Sequence, residues 1–307
     1  MPRTHHAPWL AVLALLLNAL VWGVSWWPFR RLQQLGLHPL WTTALVYGLA
    51  ALVIALWRPR ALAQLAGTPA LWCIALASGA TNAAFNWAVT IGEVVRVVLL
   101  FYLSPLWTVL LARWLLGERF DVRVALRVLL ALSGAALVLG AGAPGTAESF
   151  GGLQLADLLG LLGGATFALN NVLLRRESQR PEEGRALAMF CGGMLVSATV
   201  AWLAGGSVGP AGGVALPPAW AQAWLWPALL MGLAFFFGNL GLQYGAARLP
   251  ANVTAVIMPT EIIFASVSAV WLGGEVLRPA VLMGGALILA ATALAAWDEP
   301  RASVVAV

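Results

Sequence analysis

Trp114-Leu115-Leu116-Gly117-Glu118 closes one apolar stretch of the chain, and Trp271-Leu272-Gly273-Gly274-Glu275 closes another 157 residues further on. Two copies of so particular an ending point to an internal duplication. Carried outward, the offset of 157 sets Asn82, Asn86 and Trp87 against Asn239, Gln243 and Tyr244. An offset of 145 sets Trp22, Ser25, Arg30 and Arg31 against Phe167, Asn170, Arg175 and Arg176.

The segments between these landmarks are apolar and about 20 residues long, the length of helix that crosses a hydrocarbon core of about 30 Å. Cuts at charges, prolines and glycines give ten of them, over 8–29, 39–57, 69–92, 94–116, 122–142, 153–174, 186–206, 224–247, 250–273 and 279–297. None alternates in the manner of a barrel strand, so the expected fold is an all-α integral membrane protein with ten transmembrane helices. At 61% hydrophobic and 9% charged, the 307 residues offer too little polar surface for a soluble globule. The first stretch is longer than a signal-peptide core and ends without a small-residue cleavage site, so it reads as a retained helix. The longest connection, Ser207 to Ala223, is uncharged and rich in Gly and Pro. One membrane domain over residues 1–307 is expected, with a first five-helix repeat over 8–142 and a second over 153–297. Five is odd, so the second repeat enters the membrane inverted and a substrate site is expected between the halves near the midplane.

All 17 basic residues are arginine. Without lysine there is no Walker lysine and no Schiff base, and His5, His6 and His38 fall outside the stretches or at an edge, so neither an enzyme nor a metal site is expected. No cofactor is implied. Cys73 and Cys191 lie within stretches three and seven, where packing is the expected role. With the N-terminus inside, thirteen arginines face the cytoplasm and four, Arg30, Arg31, Arg96 and Arg278, face outward. That asymmetry favours N-in and C-in and accounts for the basic charge through lipid headgroups, with no nucleic acid partner.

Periodicity selects the residues that line a path. Ser78, Asn82, Asn86, Thr90 and Glu93 form a polar stripe on an otherwise apolar helix. Asn239 and Gln243 repeat it in stretch eight; Asn18, Trp22 and Ser25 do so in stretch one, and Phe167, Asn170 and Asn171 in stretch six. Glu261 lies near the middle of stretch nine, in line with Thr254 and Ser268, and a carboxylate at that depth marks a substrate, ion or proton site by default. Desolvation favours its neutral form, which makes it a candidate hydrogen-bond donor or proton carrier; a purely structural clasp to a neighbouring helix is the competing reading. Arg96 has three readings: a partner for a substrate carboxylate, for Glu93, or for the outer headgroups. Tyr102, Ser104 and Thr108 surround Pro105, whose missing amide weakens the helix there. Glu118 and Glu275, beside Arg119 and Arg278, are expected to form interfacial ion pairs. Of the 16 tryptophans, Trp9, Trp57, Trp72, Trp220, Trp224, Trp226 and Trp297 are expected as headgroup anchors near span ends.

The paired Leu-Gly-Glu and Gly-Gly-Glu endings, the Ala-Leu-Val-Trp22-Gly23 run and the five-plus-five layout resemble the EamA-type branch of the drug/metabolite transporter superfamily. Within it the chain is most similar to the bacterial aromatic amino acid exporters of the YddG type, although Pro259-Thr260-Glu261-Ile262 stands where members often read Glu-Pro. The resemblance implies a secondary transporter of the bacterial inner membrane, exporting aromatic and other neutral amino acids by alternating access through a central cavity. Glu261, Asn82, Asn86, Asn170, Asn171, Tyr102, Ser104, Asn239, Gln243 and Tyr244 are the expected substrate ligands, with Trp22 as an aromatic wall. A drug or other metabolite exporter of the same fold, and a non-transporting polytopic membrane protein, are the alternatives.

Overall fold

The computed structural model describes residues 8–116, 122–140, 153–205, 214, 217, 222–249 and 251–298. Described residues with regular structure are all helical. The chain runs through α1 (Pro8–Val24), α2 (Trp26–Gln34), α3 (Pro39–Trp57), α4 (Arg60–Gly67), α5 (Pro69–Ile91), α6 (Val94–Phe101), α7 (Ser104–Leu116) and α8 (Val122–Gly140). It continues through α9 (Leu155–Arg176), α10 (Glu182–Ala204), α11 (Gln222–Ala246), α12 (Ala251–Ile257), α13 (Thr260–Gly273) and α14 (Pro279–Asp298).

Five of these helical runs are long and apolar enough to cross a membrane, the first being α1 and α2 taken together over Trp9–Gln34. A sixth is the bent pair of α4 and α5, which meet at 97°. Four shorter apolar runs occupy Val94–Thr108, Ala125–Gly140, Thr260–Gly273 and Pro279–Leu294. The sequence reading treated three of its stretches as single helices that prove to be broken, and each break has a local cause. Pro28 lacks the amide that would bond the Val24 carbonyl, and Ser25 Oγ instead donates to Trp22 O at 2.8 Å. Pro105 and Pro259 act likewise at the α6–α7 and α12–α13 breaks. The short α4 was not anticipated: Ala61 and Leu65 are buried while Arg58 and Arg60 stay exposed, the pattern of a helix lying along an interface.

Two features hold the bundle together. Small residues let backbones approach, as expected where packing rather than water drives association. A Cβ at Gly134 would meet Gly284 O at 2.6 Å, and one at Gly284 would meet Gly134 O at the same distance, so α8 and α14 cross in direct backbone contact. Gly192 of α10 is pressed against the Ala75 carbonyl of α5, and Gly79 against Gly192. The second feature is α6, where every residue from Val94 to Leu100 is buried, Arg96 included. Its apolar side chains form one core with Phe85, Val138, Ile262 and Ile288. A smaller core joins Phe29, Leu32, Val46, Tyr47, Trp224 and Met231.

His38 caps the start of α3. Its Nδ1 accepts a hydrogen bond from the Leu40 amide at 3.2 Å, its ring meets Trp87 edge-on at 5.5 Å, and burial lowers its pKa from 6.5 to about 4. A neutral ring is what that acceptor role requires. Trp9, Trp57, Trp72 and Trp226 are exposed as anchors would be, but Trp224 is buried in the smaller core. Trp220 and Trp297, with Glu118 and Arg119, lie outside the described residues or side chains.

Candidate functional site

The α12–α13 break places Glu261 in the first turn of α13, 9% exposed. Across from it, the α6–α7 break ends at Tyr102, whose hydroxyl donates to Glu261 Oε2 at 3.1 Å and lies 3.4 Å from Met258 O. The two breaks correspond under the offset of 157, which carries Tyr102 onto Pro259 and Ser104 onto Glu261. Each is pressed against the first long helix of the other half through a glycine. A Cβ at Gly23 of α1 would meet Glu261 O at 2.6 Å, and one at Gly164 of α9 would meet Phe101 O at 2.6 Å. Glu261 and Tyr102 thus face each other where the two halves of the chain interlock. Ser104 is buried at the start of α7, its carbonyl accepting from Thr108 Oγ1 at 2.9 Å.

A second polar focus joins α3 and α5. Asn82 accepts from the Tyr47 hydroxyl and donates to Ser78 O at 2.8 Å; Asn86 donates to Thr43 Oγ1 at 3.0 Å. Thr81 of the same helix donates to Thr166 of α9 at 3.0 Å. Trp22 packs against both apolar cores, its ring 4.7 Å from Phe235. The amide oxygens of Asn18, Asn86 and Asn170 are buried and without hydrogen-bond partners, an unusual state for buried acceptors.

Not every expected ligand joins these foci. Asn170 and Asn171 are successive residues, about 100° apart around α9, and only Asn170 points inward; Asn171 is exposed. Asn239 donates to Phe235 O of its own helix at 2.9 Å. Gln243, a turn further along α11, is exposed, and Tyr244 lies under the Arg248 guanidinium at 3.8 Å. Arg96 takes none of the roles expected of it. Its Nε and Nη2 bond both oxygens of Asp157 at 2.7 and 2.8 Å, with Asp157 1% exposed. Ser268 accepts from Trp26 Nε1 at 2.9 Å. Glu275 does not pair with Arg278: it accepts from the Val94 amide at 2.8 Å and lies 3.6 Å from Arg30, while Arg278 bonds Glu93 at 2.6 Å.

Thr43, Tyr47 and Asp157 were missed by sequence reasoning. Thr43 and Tyr47 are four apart on an apolar helix, a readable polar pair. Asp157 had a signal too, an acid in the opening turn of a stretch expected to cross the membrane.

A groove of about 430 Å³ opens between α7 and α9, lined by Trp107, Leu110, Leu111, Trp114, Thr166 and Leu169 among others. Thr166 therefore touches both the groove and the α5 polar face. Among the described residues no cluster of His, Cys, Asp or Glu is arranged to hold a metal.

Residues 9–140 match the model of the EamA-like transporter family. That stretch runs from α1 to the end of α8 and includes Tyr102 and the α5 stripe. No curated protein matches the chain. Fifteen chains of solved structures do, among them the crystal structure of a protein that aligns over 93% of this chain and 96% of its own, with a TM-score of 0.56 and 21% identity. A likeness at that identity is one of fold.

Proposed function

We propose that this chain is a ten-span secondary transporter, N-in and C-in in a bacterial inner membrane, that exports small amphipathic metabolites by alternating access. Aromatic and other neutral amino acids are the substrates we favour. The ten spans are the five long helical runs, α5, and the four shorter apolar runs, arranged as two inverted halves. The observation that carries the reading is the Tyr102–Glu261 contact. A carboxylate inside a membrane is retained for substrate or ion handling, and this one sits at a helix break in one half, facing the matching break in the other.

The surrounding chemistry suits an amino acid. The unpartnered amide oxygens of Asn86 and Asn170 are acceptors for an ammonium group, and the hydroxyls of Tyr47 and Tyr102, once released from Asn82 and Glu261, are donors for a carboxylate. Trp22 and Phe235 offer apolar faces for a side chain. Glu261 is positioned to exchange a proton as the halves separate. A second reading, an exporter of amphipathic drugs, draws support from the α7–α9 groove, whose two indoles suit a flat apolar solute.

The test is counterflow into proteoliposomes preloaded with unlabelled solute, using labelled tryptophan, phenylalanine, threonine and a cationic drug. Saturable exchange of the amino acids is expected. Exchange of the drug alone would move the assignment to the second reading, and exchange of no solute would overturn transport.

A further inference from the structure

Three ion pairs gather at one end of the bundle, and each joins the first half of the chain to the second. Arg96 grips Asp157 through two hydrogen bonds. Arg278 donates to Glu93 at 2.6 Å. Arg30 approaches Glu275 at 3.6 Å while donating to the carbonyls of Val89 at 3.1 Å and Gly92 at 2.6 Å, where α5 ends. The acids are further engaged by backbone. Asp157 Oδ2 accepts from the Gln154 amide at 3.0 Å, and Glu275 accepts from the amides that open α6. One cluster of side chains therefore ties together the ends of α2, α5, α6, α9 and α13.

The duplication supplies an internal control. Under the same offsets, Arg96 and Asp157 correspond to Val253 and Val12 at the opposite end, and Glu93 corresponds to Pro250. Arg30 and Glu275 alone keep their chemistry, as Arg175 and Glu118. Apolar contacts can part and re-form without stranding a charge. A bidentate buried pair cannot, because each partner left alone loses its counter-charge in a dry site.

We propose that these pairs, with Arg96–Asp157 as the deepest, form a latch that makes the closed state of this end the resting state of the protein. In the orientation proposed above this is the outer end. Loss of the latch shifts the population toward opening on that side, since the two states differ by only what their contacts contribute. The inference rests on the transporter reading for its meaning, but its test does not require transport.

A reporter cysteine replaces Ser25, which lies buried between Trp22 and the latch, with Cys73 and Cys191 changed to alanine. A membrane-impermeant maleimide is applied to each face of oriented vesicles. The neutral pair Arg96→Met/Asp157→Leu fills the site without a stranded charge, and the swap Arg96→Asp/Asp157→Arg restores it; gel filtration in detergent checks that each is folded. From the latch face, labelling of the neutral pair is expected to rise about tenfold or more over the parent, a shift that a modest change in population produces, and the swap to return toward the parent rate. Equal labelling in parent and folded neutral pair overturns the latch. Counterflow is run on the same proteins: labelling unchanged with exchange intact removes the latch alone, and labelling raised with no exchange removes the transport reading and leaves the latch.

Discussion

At one end of the bundle Arg96 closes on Asp157 through Nε and Nη2; at the aligned positions of the chain stand Val253 and Val12. The two ends share helix breaks at Tyr102 and Pro259, 157 residues apart, and exposed tryptophans at 114 and 271. The aligned pair separates them, charged at one end and apolar at the other. Packing differs too: α5 lies along α10 in close backbone contact, while between α3 and α11 a Cβ at Gly232 would meet Val46 only at 3.8 Å.

The largest effect is expected from stranding one charge. Asp157→Ala or Arg96→Ala leaves a buried ion unpaired, a loss of about 3–5 kcal/mol, to be read as a fall in thermal midpoint or a collapse of yield in detergent. Val253→Ala, at the aligned position opposite, should change the midpoint far less; equal losses at both positions would erase the contrast between the ends. Next comes the carboxylate. Glu261→Gln should keep the fold, lower exchange about tenfold or more and abolish any response to an imposed pH gradient, whereas Tyr102→Phe, losing one hydrogen bond of about 0.5–1.5 kcal/mol, should weaken exchange without removing that response. Exchange kinetics with and without the gradient separate these outcomes.

The interlocking glycines give a third comparison. Gly23→Val and Gly164→Val each push a side chain into a carbonyl of the facing break, and overpacking of this kind costs about 1–3 kcal/mol. Comparable losses of stability at the two sites would mean that both breaks are held equally; a loss at Gly23 alone would place the rigid contact on the Glu261 side. The smallest effect belongs to His38. Its folded pKa of about 4 lies below the unfolded value near 6.5, so the unfolded chain binds the extra proton first. Stability is therefore full above pH 6.5 and declines as the pH falls toward 4. Melting curves across that window should show the decline, and His38→Asn, which keeps an acceptor, should flatten it.

Much of this was readable before any coordinates. Helices occupy all ten apolar stretches, and five runs, with the bent α4–α5 pair as a sixth, have the length and hydropathy of a membrane span; the repeated Trp-Leu-x-Gly-Glu endings are visible by eye. Glu261 stood out because a deep acid has no bland surface explanation. What could not be read was rotation and partnership. Asn170 and Asn171 look equivalent in sequence, and only the packing of α9 decides which faces inward. Arg96 and Asp157 are 61 residues apart with no periodic link, so their pairing emerges only when α6 is buried beside the start of α9. The helix breaks were half legible: Pro105 and Pro259 announced them, while Ser25 and Pro28 were read through as one continuous span.

In the proposed function, substrate is held between the halves at the Tyr102–Glu261 contact. The most direct test is equilibrium binding of labelled tryptophan to purified protein, comparing the parent with Glu261→Gln, Asn86→Ala and Asn171→Ala. Saturable binding that weakens about tenfold in the first two and is unchanged in Asn171→Ala, where the amide is exposed, is the predicted result. Binding of equal strength in all four proteins would contradict it.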